Sequence, residues 1–369
     1  GPEAIQLAIY IGWLMHGVLG GLIAGILFLL PSLALLISLS WVYLVFGDVP
    51  SVAGVLYGIK PAVTAIVVFA AYRIGSKALK NGVLWGLAAA AFVAIFAFDV
   101  PFPYIVLTAA VLGYVGGQML PDKFKSGGGH GAMGKVNGPA LIDDHTPVPE
   151  HARFRWSRVL MFLGVGVALW LVTLAVLYGQ GGWQGTLTQM GWFFTKAAFL
   201  TIGGAYAVLP YVYQGGVEHY GWLTGLQMID GLALGETTPG PLIMVVTYVG
   251  YIGGWTKQVF GPEQLALGGL AGAMVATFFT FLPSFLFILI GGPAIEASRH
   301  DIKLSAPLTA ITAAVVGVII NLAVFFAYHV LWPQGITQPF SFQTLFTGFQ
   351  WISVLIGIAA FVALWRYKV

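Results

Sequence analysis

The sequence predicts an all-α, polytopic membrane protein, and three observations support that fold class. Its 369 residues are 59% hydrophobic and only 8% charged, whereas a soluble domain carries roughly 25% charged residues. Apolar runs of about 20 residues, long enough to cross a bilayer as a helix, recur along the chain. Two prolines within three residues interrupt one of those runs, at Pro239-Gly240-Pro241. We therefore expect helical spans together with broken or re-entrant helices.

Composition also excludes several classes of function. The chain has no cysteine, which rules out disulfides, thiolate metal sites and thiol catalysis. The small net charge of +3 gives no reason to expect a nucleic-acid partner. The seven histidines show no metal-ligand spacing inside the apolar segments, so we expect no metal and no cofactor. Walker loops, dinucleotide fingerprints and Ser/His/Asp constellations are absent, so we expect no enzyme.

The apolar segments fall into two groups on either side of a polar linker. Residues 1–118 are expected to form an N-terminal transporter repeat, with segments at 3–16, 18–46, 51–72, 82–98 and 102–118. Residues 119–156 form a Gly-rich linker, which we expect to be flexible. Residues 157–369 are expected to form the C-terminal repeat, with segments near 158–178, 187–212, 230–254, 265–291, 306–330 and 342–365. The total is about ten membrane elements, some too short to cross simply.

Three short blocks recur in the same order in both halves, which indicates an internal duplication. The matched blocks are Leu30-Pro31-Ser32 with Leu282-Pro283-Ser284, Ile59–Val63 with Ile311–Val315, and Gly1-Pro2 with Gly240-Pro241. Basic residues cluster at 73–80, 123–158, 299–303 and 366–368. The positive-inside rule places these clusters, and hence the linker and the C-terminus, in the cytoplasm. Their positions in corresponding loops predict that the repeats are oppositely oriented, although Lys257 would then lie outside.

The interrupted stretch Asp230–Gly254 is the most informative part of the chain. Glu236 stands directly before the break, where an ionised side chain costs roughly 2.5–3.5 kcal/mol or more unless it is paired or hydrated. We therefore expect a proton- or cation-coupling site or a gate, the alternative being a carboxylate that caps backbone N–H groups. Asp230 is expected near the membrane interface, where the interpretation as an ordinary helix-start residue is at least as good as a functional one.

A new helix is expected to begin after the break. Thr237 or Thr238 at an N-cap, followed by Pro239, Gly240 and Pro241, is typical of a helix start. The free N–H groups and the positive end of the helix dipole would then bind an anion. The alternative is a plain cap without a ligand.

Five further positions are candidate site residues. Lys196 is expected to contact substrate or to pair with Glu236, unless its side chain reaches the membrane interface. Lys60, more central in its span and next to Pro61, is expected to attract an anion or form an ion pair. Gly203 and Gly204 favour close helix packing over ligand contact. Glu3 is the first-half residue that matches Leu242, which makes the two halves chemically unequal.

Three stretches resemble the chromate ion transporter family. They are FTKAAFLTIGGAYAVLPYV at 194–212, DGLALGETTPGPLIMVVTYVGY at 230–251 and GPEAIQLAIYIGWLMHG at 1–17, the last together with Leu30-Pro31-Ser32. The resemblance covers essentially the whole chain. It implies a multi-pass protein of the cell inner membrane, with two homologous halves, that moves chromate and exports it to confer resistance. It also implies a relation to sulfate, which is a similar tetrahedral dianion.

The match departs from the two-domain family pattern at one end. Such members carry a first-half version of the Gly-Gly and Pro-Gly-Pro region ahead of GPEA. This sequence starts inside that motif, so we expect the counterpart of Trp192–Pro239 to be missing from the first half.

We therefore expect a secondary transporter of a tetrahedral oxyanion, with the lipid bilayer as its surroundings. The anion would lie between the Thr237–Pro241 helix start and basic residues such as Lys196 or Lys60. A carrier for sulfate or another anion, a passive anion channel and an intramembrane enzyme are the alternatives, and a homodimer is left open.

Overall fold

The computed structural model describes residues 2–124, 149–201, 205–297, 305–333, 335, 346 and 348–367. Within these ranges the chain is helical and contains no strand, which confirms the predicted all-α fold class. The helices are α1 Pro2–Phe46, α2 Pro50–Ala78, α3 Gly82–Phe98, α4 Phe102–Met119, α5 Pro121–Phe124, α6 Trp156–Gly181, α7 Thr186–Phe199, α8 Ala205–Tyr213, α9 Gly225–Thr237, α10 Val245–Thr256, α11 Leu265–Ala297, α12 Ser305–Leu331 and α13 Trp351–Tyr367.

Six stretches of these helices are long and apolar enough to cross a membrane: Glu3–Phe46, Pro50–Ala78, Phe102–Met119, Trp156–Gly181, Pro262–Pro293 and Ala306–Leu331. Three shorter apolar helices accompany them, at Gly82–Phe98, Leu242–Thr256 and Trp351–Tyr367. The helices α8 and α9 have 9 and 13 residues, or about 14 and 20 Å of axis. Neither reaches through a hydrocarbon core of about 30 Å, so the protein is polytopic with discontinuous helices.

Helix geometry breaks at one predicted segment boundary and inside one predicted span. The segments at 3–16 and 18–46 are two helices within α1 that fold back on each other at His16 and Gly17, since a Cβ on Gly12 would collide with the carbonyl oxygen of Gly20. Gly17 has a φ of 66°, a left-handed conformation that glycine adopts without steric cost. The predicted span at 187–212 is divided in the structure, because α7 ends at Phe199 and α8 begins at Ala205.

Helices α2 and α12 pack side by side and run antiparallel. Early α2 residues such as Pro61 line an apolar groove with Val330, near the end of α12. Late in α2, a Cβ on Gly75 would lie 3.2 Å from Val316, which is nearer the start of α12. Oppositely oriented repeats require antiparallel counterpart helices, and α2 and α12 contain the matching Ile59–Val63 and Ile311–Val315 blocks. The duplication and the division at 118 and 157 remain predictions.

Helix α10 is held by close backbone contact with α11. A Cβ on Gly250 would collide with the carbonyl oxygen of Gly272, and a Cβ on Gly254 with that of Gly268. Small residues at such positions let two membrane helices approach closely. Phe279, on the same helix as Gly272, is fully buried. This packing fixes α10 in place and thereby fixes the end of the break that precedes it.

Candidate functional site

The helix break predicted at Pro239-Gly240-Pro241 is present in the structure. Helix α9 ends at Thr237, and the chain resumes as a 3₁₀ turn at Leu242–Met244 that leads into α10. Gly240 has a φ of 145°, which other residues rarely adopt. A Cβ at Gly240 would lie 2.7 Å from the Cβ of Ser32 in α1. The break therefore lies directly against the Leu30-Pro31-Ser32 block of the first half.

The prediction that Thr237 or Thr238 caps the following helix is wrong. Both hydroxyls donate backwards, to the carbonyl oxygens of Leu234 at 2.9 Å and Gly235 at 2.9 Å. Pro241 is the N-cap of the following turn, and it makes no side-chain cap. The threonines thus satisfy the last carbonyls of α9, because those acceptors are nearer than the amides beyond the two prolines.

Two amides at the start of the second helix have no acceptor in the part of the chain that the structure describes. Among the described residues, the N–H groups of Leu242 and Ile243 donate to no backbone or side-chain acceptor, whereas Met244 donates to the carbonyl oxygen of Pro241. Helix starts leave such amides unsatisfied unless a cap, water or a ligand accepts from them. These two amides are candidate donors at the break, and their binding of an anion stays a prediction.

Glu236 lies in the last turn of α9 and does not cap the break. The hydroxyl of Tyr206, in α8, donates to its Oε1 at 2.6 Å. Both side chains line a cavity of about 990 Å³. Glu236 is thus a half-buried carboxylate at a cavity wall, which fits a gating or coupling role better than a capping role.

This cavity, which we call the basic vestibule, gathers positive charge. Its lining contains four basic and two acidic side chains, namely Arg73, Lys77, Lys80, Lys123, Asp122 and Glu236. Arg73 and Lys77 come from the end of α2, and Lys80 lies just before α3. The start of α12 contributes Thr312 to the opposite wall. The two excess positive charges give the vestibule a potential that attracts anions.

A second charged group joins the two halves deeper along the same helices. The ammonium of Lys60 in α2 lies 3.1 Å from Oδ1 of Asp230 in α9. Tyr43 of α1 donates its hydroxyl to Oδ2 of Asp230 at 3.0 Å. The Asp230 side chain is 4% exposed and that of Lys60 is 26% exposed. The expectation that Lys60 forms an ion pair is confirmed, with a partner that the sequence analysis did not name.

The interpretation of Asp230 as a helix-start residue is wrong. Helix α9 begins five residues earlier, at Gly225, where Thr224 and Gln227 form a reciprocal capping box. Asp230 therefore lies in the middle of α9 and is buried. The Thr224-Gly225-Leu226-Gln227 pattern is the sequence signature of a capping box, and it would have placed Asp230 inside the helix. The pairing across 170 residues has no such local signal.

Lys196 does not lie in the basic vestibule. It lines a cavity of about 680 Å³ together with Asp99, Glu218 and His219. Its ammonium lies 5.8 Å from the ring centre of Trp192, in the range of a cation–π contact. Asp99 is the C-cap of α3, so this mixed-charge cavity and Lys80 lie at opposite ends of α3, about 25 Å apart along its axis. The structure therefore separates Lys196 from Glu236.

The mixed-charge cavity has its own acidic character. Partial burial, and secondarily Asp99, raise the pKa of Glu218. Gln214 accepts from the amide of Phe102 at 3.1 Å, which ties α4 to this wall. One cation and two carboxylates line this cavity, a balance opposite to that of the vestibule.

The remaining candidate residues are apart from both cavities or outside the described structure. Glu3 lies in the first turn of α1 and is exposed. Gly203 and Gly204 lie outside the described residues, so their expected packing role stays a prediction. Within the described part of the chain, no group of three His, Asp or Glu side chains could hold a metal ion.

The family profile and three similar relatives agree on one family. A family profile described as Chromate transporter matches residues 1–114 and 188–369. The chromate transport protein of Cupriavidus metallidurans is 29% identical over 328 residues, which are 89% of this chain and 69% of that protein. That of Pseudomonas aeruginosa is 32% identical over 323 residues, 86% of this chain and 66% of that protein. A probable chromate transport protein of Synechococcus elongatus is 24% identical over 99% of this chain and 77% of its own length.

No solved structure matches the chain. The profile covers the helix break, the Lys60–Asp230 pair and the vestibule residues on α2 and α9, but not Asp122 and Lys123 of the vestibule. Members of this family are membrane transporters rather than enzymes. The chain therefore belongs to the chromate transporter family.

Proposed function

We propose that this protein carries chromate across the inner membrane and that it exports chromate from the cytoplasm. The observation that supports this most directly is the basic vestibule, which ends at Glu236 beside the α9–α10 break. A tetrahedral dianion accepts many hydrogen bonds and carries two negative charges, so it matches a cavity wall on which cations are in excess. The named function of the two relatives at 29% and 32% identity agrees with this substrate.

Capture begins with long-range attraction. Arg73, Lys77 and Lys80 stand at the mouth formed by the end of α2 and the start of α3. Clusters of one sign of charge raise the local concentration and the association rate of oppositely charged solutes. Because the positive-inside rule places these basic residues in the cytoplasm, the vestibule collects anions from that side, which supports export.

Discrimination and gating then fall to the inner wall. Glu236 repels a dianion while it is ionised, and Tyr206 holds it in place through a 2.6 Å hydrogen bond. Movement or protonation of Glu236 would open the way to the amides of Leu242 and Ile243. Lys60 lies six residues before Ile66, the vestibule residue nearest to it along α2, or about 9 Å deeper. We assign Lys60 the role of the next cation on the route.

Inside-out vesicles containing the protein test the proposal. Labelled chromate should accumulate when the proton gradient or the membrane potential is imposed, and vesicles without the protein should show no accumulation. Equal uptake in both preparations would refute chromate export. Unlabelled sulfate serves as the specificity arm, since inhibition as strong as that by the same concentration of unlabelled chromate would favour a general sulfate-type carrier.

A passive anion channel is the second candidate. The buried ion pair of Lys60 with Asp230, which lies on the proposed route, favours a carrier because it closes the path with fixed charges. Electrical recording from a planar bilayer separates the two, because a channel conducts chromate down its gradient without any dependence on an imposed proton gradient.

A further inference from the structure

The ion pair between Lys60 and Asp230 is costly to maintain. Removing two charges from water costs several kcal/mol for each ion, and the attraction between them returns this only with favourable geometry and further hydrogen bonds. A buried pair therefore adds little stability, and charged residues at membrane depth mark transport routes by default. The pair needs an explanation beyond helix packing.

The two side chains of the ion pair are unequally exposed, and this difference indicates a role for the pair. Asp230 is almost fully enclosed, while about a quarter of the Lys60 side chain remains accessible. Tyr43 holds the far carboxylate oxygen through its hydroxyl, and the ring of Tyr248 packs edge-on against that of Tyr43 at 5.8 Å. The carboxylate is thus fixed in position by α1 and α10, whereas the lysine keeps a face open to another ligand.

Helices α2 and α9, which carry Lys60 and Asp230, also contribute to the wall of the basic vestibule. On α9, Asp230 precedes Glu236 by six residues, or about 9 Å. On α2, Lys60 precedes Arg73 by thirteen residues, or about 20 Å. Lys60 contacts Asp230, and Arg73 and Glu236 both line the vestibule, so α2 and α9 connect the ion pair to the vestibule.

We propose that Asp230 is an internal competitor for the anion site of Lys60, occupying it through its carboxylate whenever the transported oxyanion is absent. This inference rests on the proposed function, which makes Lys60 part of the anion route. The arriving dianion takes the place of the Asp230 carboxylate on the ammonium. Asp230 then keeps the hydrogen bond from Tyr43 and is most readily accommodated as the neutral acid.

Competition of this kind links anion binding to proton uptake. The groups that face Asp230 from the helices packed against it are Tyr43 of α1, Lys60 of α2 and Tyr248 of α10. A proton on Asp230 removes the carboxylate charge that holds Lys60, so the dianion binds more tightly. By reciprocity, the bound dianion raises the proton affinity of Asp230 by the same factor.

Equilibrium dialysis of labelled chromate against the purified full chain tests the inference. Asp230→Asn removes the competing charge, so chromate should bind about tenfold more tightly if free Lys60 is populated at about one part in ten. Lys60→Gln should change the affinity in the opposite direction and weaken chromate binding by at least about tenfold. A structural latch would instead weaken binding in both variants, so the opposite signs are the distinguishing result.

Three further variants keep the test decisive if Asp230→Asn fails to fold. Tyr43→Phe loosens the carboxylate without removing a charge, and should tighten binding by a smaller factor. Tyr57→Phe is the matched control, because its hydroxyl donates to Gln350, away from the pair, and affinity should not change. In Lys60→Gln/Asp230→Asn the site is gone, so binding should equal that of Lys60→Gln alone.

The outcomes separate the two proposals. If the wild-type chain binds no chromate, the proposed function fails. If the wild type binds but neither Asp230→Asn nor Tyr43→Phe binds more tightly, only the competitor role of Asp230 is overturned. Proton uptake, counted at a pH well above the titration of chromate itself, should accompany binding in the wild type and be absent in Asp230→Asn.

Discussion

The two charged cavities at the ends of α3 differ in the sign of their balance. The basic vestibule has four basic and two acidic side chains in its lining, whereas the mixed-charge cavity has Lys196 with Asp99 and Glu218. A dianion is drawn to the first and is not held strongly by the second. A carrier that collects from dilute solution on one side and releases on the other requires this asymmetry.

The asymmetry follows from which residues the helix ends bring together. At the vestibule, the last turns of α2 place Arg73 and Lys77 in the cavity that Glu236 also lines. At the other end, the left-handed Asp99 ends α3 beside the π-helical turn that contains Glu218. Charged side chains cluster at both mouths, so the difference between the mouths is one of sign.

Replacement of Glu236 should have the largest effect on this comparison. Glu236→Gln removes the only charge on the inner vestibule wall contributed by α9, and we expect loss of energised chromate accumulation. Accumulation is measured in inside-out vesicles at matched protein level. Tyr206→Phe, which removes only the 2.6 Å hydrogen bond, should retain part of the activity. Wild-type accumulation in Glu236→Gln would exclude this carboxylate from gating and coupling.

Neutralising the vestibule mouth should reduce uptake strongly and in a salt-dependent way. In the triple variant Arg73→Gln/Lys77→Gln/Lys80→Gln, the initial rate at low ionic strength should fall about a hundredfold, because electrostatic focusing contributes 10 to 10³ in rate. Added salt should narrow the gap by screening the wild type. The measurement is initial chromate uptake at subsaturating concentration.

A matched triple variant controls for the loss of positive charge in general. Arg153→Gln/Arg155→Gln/Arg366→Gln changes the net charge equally at exposed positions outside both cavities. Its uptake rate should stay near the wild-type rate. Equal losses in the two triple variants would mean that overall charge, rather than the vestibule, sets the rate.

Lys196→Gln should have a moderate effect. The lysine faces two carboxylates and the ring of Trp192, so its loss makes the mixed-charge cavity more acidic. We expect about a threefold change in the release or rebinding of chromate from that side, with cytoplasmic capture unchanged. Exchange rates measured from each side of oriented vesicles would show this. A larger loss of capture than in the vestibule triple variant would reverse the assignment of the two cavities.

The smallest effect should come from Glu218 and should depend on pH. Partial burial, and then Asp99, raise its pKa, so Glu218 gains a proton at a higher pH than an ordinary glutamate. As pH falls through that range the mixed-charge cavity loses a negative charge, and chromate rebinding there should strengthen about twofold. Glu218→Gln should show the strengthened rebinding at every pH. An unchanged pH profile in that variant would remove Glu218 from the effect.

Features that local sequence patterns specify were predicted well. Apolar runs and the two prolines gave the membrane class and the break at Pro239–Pro241, because backbone chemistry decides both. The cap was predicted wrongly because Thr237 and Thr238 can bond either to the helix behind them or to the amides ahead. Backbone geometry decided this in favour of the carbonyls of Leu234 and Gly235.

Features that depend on distant contacts were not predictable from these patterns. Lys196 and Glu236 are 40 residues apart and both lie in stretches that resemble the family, yet they line different cavities. Asp230 pairs with Lys60 across two halves of the chain. Because the sequence does not show which helices are neighbours, it predicted that Lys60 forms an ion pair but could not identify Asp230 as the partner.

Locating bound chromate would test the central claim most directly. Crystals of the protein with chromate, measured at a wavelength where chromium scatters anomalously, give an anomalous difference map in which only the chromium and other anomalous scatterers produce peaks. We predict a peak on the route from the basic vestibule to Lys60, bordered by Arg73, Glu236 and the amides of Leu242 and Ile243. A peak found only in the mixed-charge cavity beside Lys196 would contradict the claim.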